Sequence, residues 1–111
     1  MTARRISLST LSVLTTLLAD PATELYGLEI AHRTDLLPST TYPILGRLHD
    51  DGWVRDRWED VDPHDEQRPP RRYYRLTEAG VVKARDAIRA AQQQLSRYTP
   101  MTATGAALPS C

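Results

Sequence analysis

LLPSTTYPILGRLHDDGW, residues 36–53, is the stretch whose reading decides the fold. Pro38 suits the first turn of a helix, where its missing N–H has no partner to lose. Thr41, Ile44, Leu45 and Leu48 recur at one-, three- and four-residue steps, the pattern of one buried helical face. Ser39, Thr40, Tyr42, Pro43 and Arg47 fall mostly on the other face. Gly52 supplies a left-handed stop. Pro43 is expected to lie early enough to be tolerated, because few first-turn N–H groups have helical partners. The outward face carries hydroxyls, a phenol and no carboxylate before Asp50. Such a helix can approach a phosphate backbone and offer polar groups to base edges. The same pattern also suits an ordinary core helix, so the flanking sequence decides between them.

Upstream, Ser7 or Ser9 is placed to cap a first helix that ends near Asp20, before Pro21. Leu11, Leu14, Leu17 and Leu18 line one of its faces. Glu24 to Thr34 reads as a second helix, with Leu25, Leu28, Ile30 and Ala31 as its apolar positions. A short turn at Asp35 and Leu36 then gives a helix-turn-helix plan. Downstream the period changes from helix to strand. Val54, Asp56 and Trp58 alternate with Arg55 and Arg57, and Asp56 spoils the inner side. A polar connection with three prolines runs from Asp60 to Pro70, and Arg71 to Leu76 makes a second strand. Tyr74 and Leu76 share one of its faces. Helices followed by a hairpin form a winged helix. Thr77 then caps a last helix running to about Tyr98. The predicted fold is mainly α with a small β-hairpin. Residues 1–76 are expected to form a winged helix-turn-helix DNA-binding domain, 77–99 a C-terminal dimerisation helix, and 100–111 a disordered tail.

The chain has 111 residues, 14 basic and 14 acidic, so its formal net charge is zero. Distribution matters more than the sum. Arg68 to Arg75 holds four arginines and no acid. Of these, Arg71 and Arg72 are the expected phosphate contacts, since Pro69 and Pro70 hold the approach extended. A lone Cys111 gives no disulfide framework, and the three histidines show no metal-ligand spacing. No cofactor is expected. Residues 6–19 faintly suggest a secretory signal, but Ser and Thr interrupt them, and no stretch has the ~20 apolar residues of a membrane span. A cytoplasmic protein is expected. No phosphate loop, dinucleotide fingerprint or nucleophile elbow is present. Asp50 and Asp51 read as a solvated helix stop. Binding, not catalysis, is the expected activity.

Three runs carry a family resemblance: LYGLEIAHR at 25–33, PSTTYPILGRLHDDGWV at 38–54 and RPPRRYYRLTEAG at 68–80. They resemble the second helix, the recognition helix with its following strand, and the wing with the start of the last helix, in PadR-family regulators. The Tyr42–Pro43 pair in register with the Arg-Arg-Tyr-Tyr-Arg-Leu-Thr wing is the most specific feature. The resemblance implies a bacterial winged-helix repressor, usually dimeric, in a family where several members respond to small aromatic or drug-like molecules. Two departures stand out. Leu37 replaces the family's usual Ser before the helix-opening proline and cannot cap. Ser39 stands where glycine is common. The C-terminal part is also shorter than the multi-helix dimerisation domain of longer relatives.

The last helix has a seam of its own. Val81, Ala84, Ile88, Ala91, Leu95 and Tyr98 are three and four residues apart in alternation, the repeat of a helix packed along a partner helix. Leu8 and Leu11 of the first helix are expected to join that interface. The competing reading folds the last helix back on its own domain. Trp53, Trp58, Tyr73 and Tyr74 offer aromatic surface for a small aromatic effector. The expected function is a sequence-specific regulator, a repressor dimer on a near-palindromic double-stranded DNA operator. The alternative is a winged-helix protein-interaction module without specific DNA binding.

Overall fold

Ser7 opens the first helix, its hydroxyl accepting the Thr10 N–H at 3.1 Å. A computed structural model describes residues 6–98 of the chain; Arg4, Arg5 and the expected disordered tail lie outside that range. Helix α1 runs Leu8–Ala19 and buries Val13, Leu14 and Leu17. The next segment corrects an expectation. Leu25–Tyr26 is a short strand, β1, and helix α2 begins only at Gly27 and ends at Thr34. Two residues are too few to show a strand period, and what makes them a strand is a partner far along the chain. Leu25 lies opposite Tyr74, and Tyr26 opposite Tyr73. Leu28, expected inside, is 46% exposed. Ile30 and Ala31 carry the buried face of α2 instead.

Asp35 closes α2 in the left-handed conformation at φ 59°. Helix α3, Pro38–Asp50, follows. Thr41, Ile44, Leu45 and Leu48 are its buried residues, as the periodicity predicted. The Thr41 hydroxyl donates to the Leu37 carbonyl at 3.0 Å, so its burial strands no polar group. Leu37 occupies the N-cap without any side-chain cap, as its chemistry requires. Pro43 needs a different account from the one the sequence suggested. It is the sixth residue of α3, beyond the unpartnered first-turn N–H groups, so its ring leaves the Ser39 carbonyl without a donor four residues on.

Strand β2, Val54–Trp58, and strand β3, Arg72–Leu76, form the hairpin, with the one-turn helix α4, Pro63–Glu66, in the connection between them. The antiparallel sheet has the order β1-β3-β2. Val54 faces Leu76, and Asp56 faces Tyr74. The core joins α1 to Ile30, to the inner residues of α3, to Val54, Tyr74 and Leu76, and to Ala84 of α5. Among the described residues, no helix is long and apolar enough to cross a membrane.

Helix α5, Glu78–Tyr98, starts at a tight joint. The Thr77 N–H donates to the Trp53 carbonyl at 2.9 Å, and its hydroxyl donates to the Gly52 carbonyl at 2.8 Å. The same hydroxyl accepts the Gly80 N–H at 2.9 Å. Gly80 lies so close to this turn that an added Cβ would sit 1.8 Å from the Trp53 carbonyl oxygen. Backbone cannot yield there as a side-chain tip could.

Gly80→Ala is therefore expected to lower stability by about 1–3 kcal/mol, outweighing the gain of about 1 kcal/mol in helix propensity. Leu48→Ala should cost about 2–5 kcal/mol through the cavity it leaves. Thermal melts check both. An unchanged melting temperature for Gly80→Ala would mean that α5 does not sit on the Trp53 turn.

Candidate nucleic-acid interface

The outer face of α3 is the first component of the site. Ser39, Pro43 and Arg47 are exposed, Thr40 is half-buried and Tyr42 is 44% exposed. They share the face because α3 spends its other stripe on the core. The Tyr42 ring does not stand free in solvent. It lies back over Gly27, where α2 begins.

The wing is the second component, and its strand alternation separates the two arginines expected to act together. Arg72 lies on the inner side of the sheet, ion-paired through Nε to the Asp56 carboxylate. Its guanidinium carbon lies 5.7 Å from the centre of the Trp58 ring and 5.4 Å from that of Tyr74. Arg71 lies over the Tyr26 ring at 4.2 Å, on the other side. Tyr26 meets Tyr73 edge-to-face at 5.8 Å, and Arg57 lies 5.0 Å from the centre of the Tyr73 ring. Arg57 is also held by Glu24 through contacts at 2.8 and 2.9 Å. Arg68 pairs with Glu59 at 2.7 Å, and Glu59 accepts the Arg71 N–H at 3.1 Å. Much of the wing's charge is thus engaged within the chain. Arg71 keeps its guanidinium on an aromatic face rather than on a carboxylate.

Asp56 ties the two components together. Its second oxygen lies 3.0 Å from Nε2 of His49, in the last turn of α3. The side chain is 18% exposed. The hydrogen bond from Arg72 holds the Asp56 carboxyl below its ordinary ionisation range, against the opposing effect of burial. The same bond pushes the Arg72 guanidinium up. Glu59 is held down to about 2, chiefly by its hydrogen bond from Arg68. The sequence pointed to Asp56 only as a misfit in the strand pattern. The roles of His49, Glu24 and Glu59 had no local signal, since each is set by a partner on another element or across the connection.

The expected dimer seam divides in two. Ala84 is fully buried within its own chain, and Val81 packs against the same core. Ala84 has no surface left for a partner, while Val81 is only partly covered, because the first half of α5 turns its apolar face to its own domain. Leu8, Leu95 and Tyr98 are 77%, 59% and 76% exposed. With Leu11, Ile88 and Ala91 they line an apolar groove between α1 and α5. The four aromatics expected to serve an effector are not gathered on one surface, and Trp58 stands 61% exposed beside Arg72. Tyr74 belongs to the core, Trp53 packs against it, and Tyr73 stands on the opposite face of the sheet. Among the described residues, no group of three or more His, Cys, Asp or Glu side chains is placed to hold a metal ion.

Because Asp56 and Glu59 ionise at lower pH in the folded chain than their ordinary values, each stabilises the fold at pH above about 4–5. That contribution is lost as pH falls from about 4 through the folded values. Melting temperature should therefore drop between about pH 4 and pH 2. The Asp56→Asn, Glu59→Gln double variant should be less stable at neutral pH and show a smaller acid drop. An equal drop in the variant would assign the acid sensitivity to other carboxylates.

Residues 13–86, about two thirds of the chain, match the profile of the transcriptional regulator PadR-like family. No curated protein matches the sequence. Among solved structures the chain is similar to a mutant of ZitR from Lactococcus lactis, with a TM-score of 0.64 at 15% identity over 94% of this chain and 65% of that one. Another ZitR structure is described as a zinc-responsive MarR family member. YusO from Bacillus subtilis gives a TM-score of 0.64 at 21% identity over 85% of this chain and 61% of that one. A transcriptional regulator homologue from Pyrococcus horikoshii OT3 gives 0.64 at 18% identity over 82% of this chain and 83% of that one. At these identities the likeness is one of fold, and the chain spans less than two thirds of the ZitR and YusO chains. A winged helix with its core, hairpin and long last helix in place, matched to the family over most of that span, settles the assignment: the chain belongs to the PadR-like family of transcriptional regulators.

Proposed function

We propose that this chain is a repressor that binds a near-palindromic duplex operator as a homodimer. The observation that carries the reading is the outer face of α3, polar and exposed, beside an arginine-bearing wing joined to it through Asp56. In this reading α3 lies in the major groove, with Ser39, Thr40, Tyr42, Pro43 and Arg47 toward the DNA. The Ser39 carbonyl freed by Pro43 adds a backbone acceptor near that face. Arg71 serves the phosphate backbone, since among the described residues its guanidinium lies on an aromatic ring and on no carboxylate. Arg72 would have to leave Asp56 to do the same, so its main contribution is to hold the wing in place.

The apolar groove between α1 and α5 supports the dimer. Leu8, Leu95 and Tyr98 are large apolar side chains left uncovered by the chain's own fold. A two-fold axis through that groove would relate the two copies of α3, which would reach half-sites about 34–36 Å apart.

DNA affinity should fall steeply with salt. Arg71→Ala should weaken binding to all sequences and flatten the slope of log affinity against log salt by about one. Arg72→Ala should mainly lower the melting temperature. Fluorescence anisotropy across a salt series tests this. A slope changed by Arg72→Ala and untouched by Arg71→Ala would reverse the two roles. Replacing Ile88 and Leu95 with Asp should give a folded monomer with much weaker operator binding. Sedimentation equilibrium of the unaltered chain is decisive: a monomer at tens of micromolar, with operator binding intact, refutes the dimer.

A further inference from the structure

Gly27 opens α2 at the point where the recognition helix crosses it. An added Cβ there would lie 2.5 Å from Cε1 of Tyr42, and 2.9 Å from both its Cζ and its hydroxyl oxygen. All three atoms belong to one side chain, and to its far end. This differs from Gly80, where the obstacle is the Trp53 backbone. Nor does the backbone at Gly27 demand glycine. The positive-φ residues of the described chain are Asp35, Gln67 and Gly52, and Gly27 is not among them. Alanine would suit its conformation and is the better helix former. What glycine supplies at this position is therefore room for the Tyr42 ring.

We infer that Gly27 is a positioning residue for DNA recognition, one that seats the Tyr42 ring against the start of α2 and so sets where its hydroxyl meets the operator. The inference rests on the reading of α3 as the DNA-contacting helix. Tyr42 is half covered and half exposed, as a ring with one face on a glycine should be. Its position in α3 is fixed by the burial of Thr41, Ile44 and Leu45 around it. The side-chain torsions are the remaining freedom, and the contact with Gly27 restricts them. A methyl group at position 27 leaves the helix in place and expels the ring into another rotamer. The hydroxyl lies at the end of the side chain, so it moves furthest. Hydrogen bonds to DNA lose their strength over such displacements. A tyrosine anchored in this way also gives up less rotamer freedom on binding than one free in solvent.

The test is a double-mutant cycle on the full chain, using the duplex that the unaltered protein selects from a random pool. Gly27→Ala should weaken binding to that duplex about fivefold or more, the scale of one lost polar contact. The melting temperature should stay level or rise. Tyr42→Phe, which keeps the seat and removes the hydroxyl, should reproduce the loss. In the Tyr42→Ala background, Gly27→Ala should have no further effect on affinity. Equal weakening by Gly27→Ala in both backgrounds would overturn the inference, as would full affinity in the single variant. If Gly27→Ala melts early, the stability cycle decides: early melting that persists with Tyr42→Ala places the clash elsewhere and overturns it. If Tyr42→Ala weakens operator binding and Gly27→Ala does not, the DNA-reading role of α3 stands and only the seat falls. If the unaltered protein selects no duplex, or Tyr42→Ala binds it normally, the underlying reading of Tyr42 fails first.

Discussion

The carboxylate of Asp56 joins the two elements that a winged helix must hold in register. One oxygen faces His49 at the end of α3, and the other is paired with Arg72 of the wing. The base of the hairpin is also held by the core, where Val54, Tyr74 and Leu76 pack with Ile44, Leu45 and Leu48 of α3, and by β1 alongside β3. Beyond β1 the hairpin continues as a two-stranded ribbon, which is weakly stable alone and twists readily. Without Asp56 that part would be held less firmly relative to α3. Exposed ion pairs such as Arg33 with Glu29, or Arg89 with Asp86, are screened and contribute little. Asp56 differs because it is mostly covered and because both of its oxygens are used. Losing it would leave Arg72 against Trp58 and Tyr74 without its counter-charge.

The joint at Thr77 does for α5 what Asp56 does for the wing. Thr77 bonds to the carbonyls of Gly52 and Trp53, the turn that ends α3, and Gly80 is pressed against the same turn. The start of α5 is thus fixed to the end of α3 by backbone contacts, with no flexible linker between them. The position of α5 is thereby set by the end of α3.

The sequence made the helical parts of this architecture plain, because each carries a long repeat and local punctuation. Thr41, Ile44, Leu45 and Leu48 set the phase of α3, and Ser7 and Thr77 mark helix starts with their own side chains. The hairpin was legible from Tyr74 and Leu76. What could not be read were the features that depend on remote partners. Leu25 and Tyr26 are strand only because β3 lies beside them. Their local sequence continues smoothly into the helical run that follows. Arg71 and Arg72 looked equivalent in the sequence, yet adjacent strand residues face opposite ways, and Asp56 and Tyr26 decide what each one meets. Asp56 was visible as an anomaly. A charged residue on the inner face of a strand needs a partner, and that partner lay sixteen residues away on the far side of the connection.

The divided seam of α5 follows from the same economy of surface. A helix of 21 residues spans about six turns, which is enough to serve two surfaces in succession but not both along its whole length. Gly80 and Ala84 are small, and they let the first turns approach the Trp53 turn and the core. The heptad spacing of Val81 and Ala84 matches that of the later positions because one helix continues the same face. Beyond Ala84 that face lies along α1, and there the apolar groove opens with Leu95 and Tyr98 exposed. A heptad pattern therefore reports a continuous apolar stripe and is silent on whether its neighbour is the same chain or another. Here the burial of that stripe fades after Ala84, towards Leu95 and Tyr98. Small residues allow the close packing that completes the domain, Ile88 is partly covered, and the larger Leu95 and Tyr98 stand exposed beyond it.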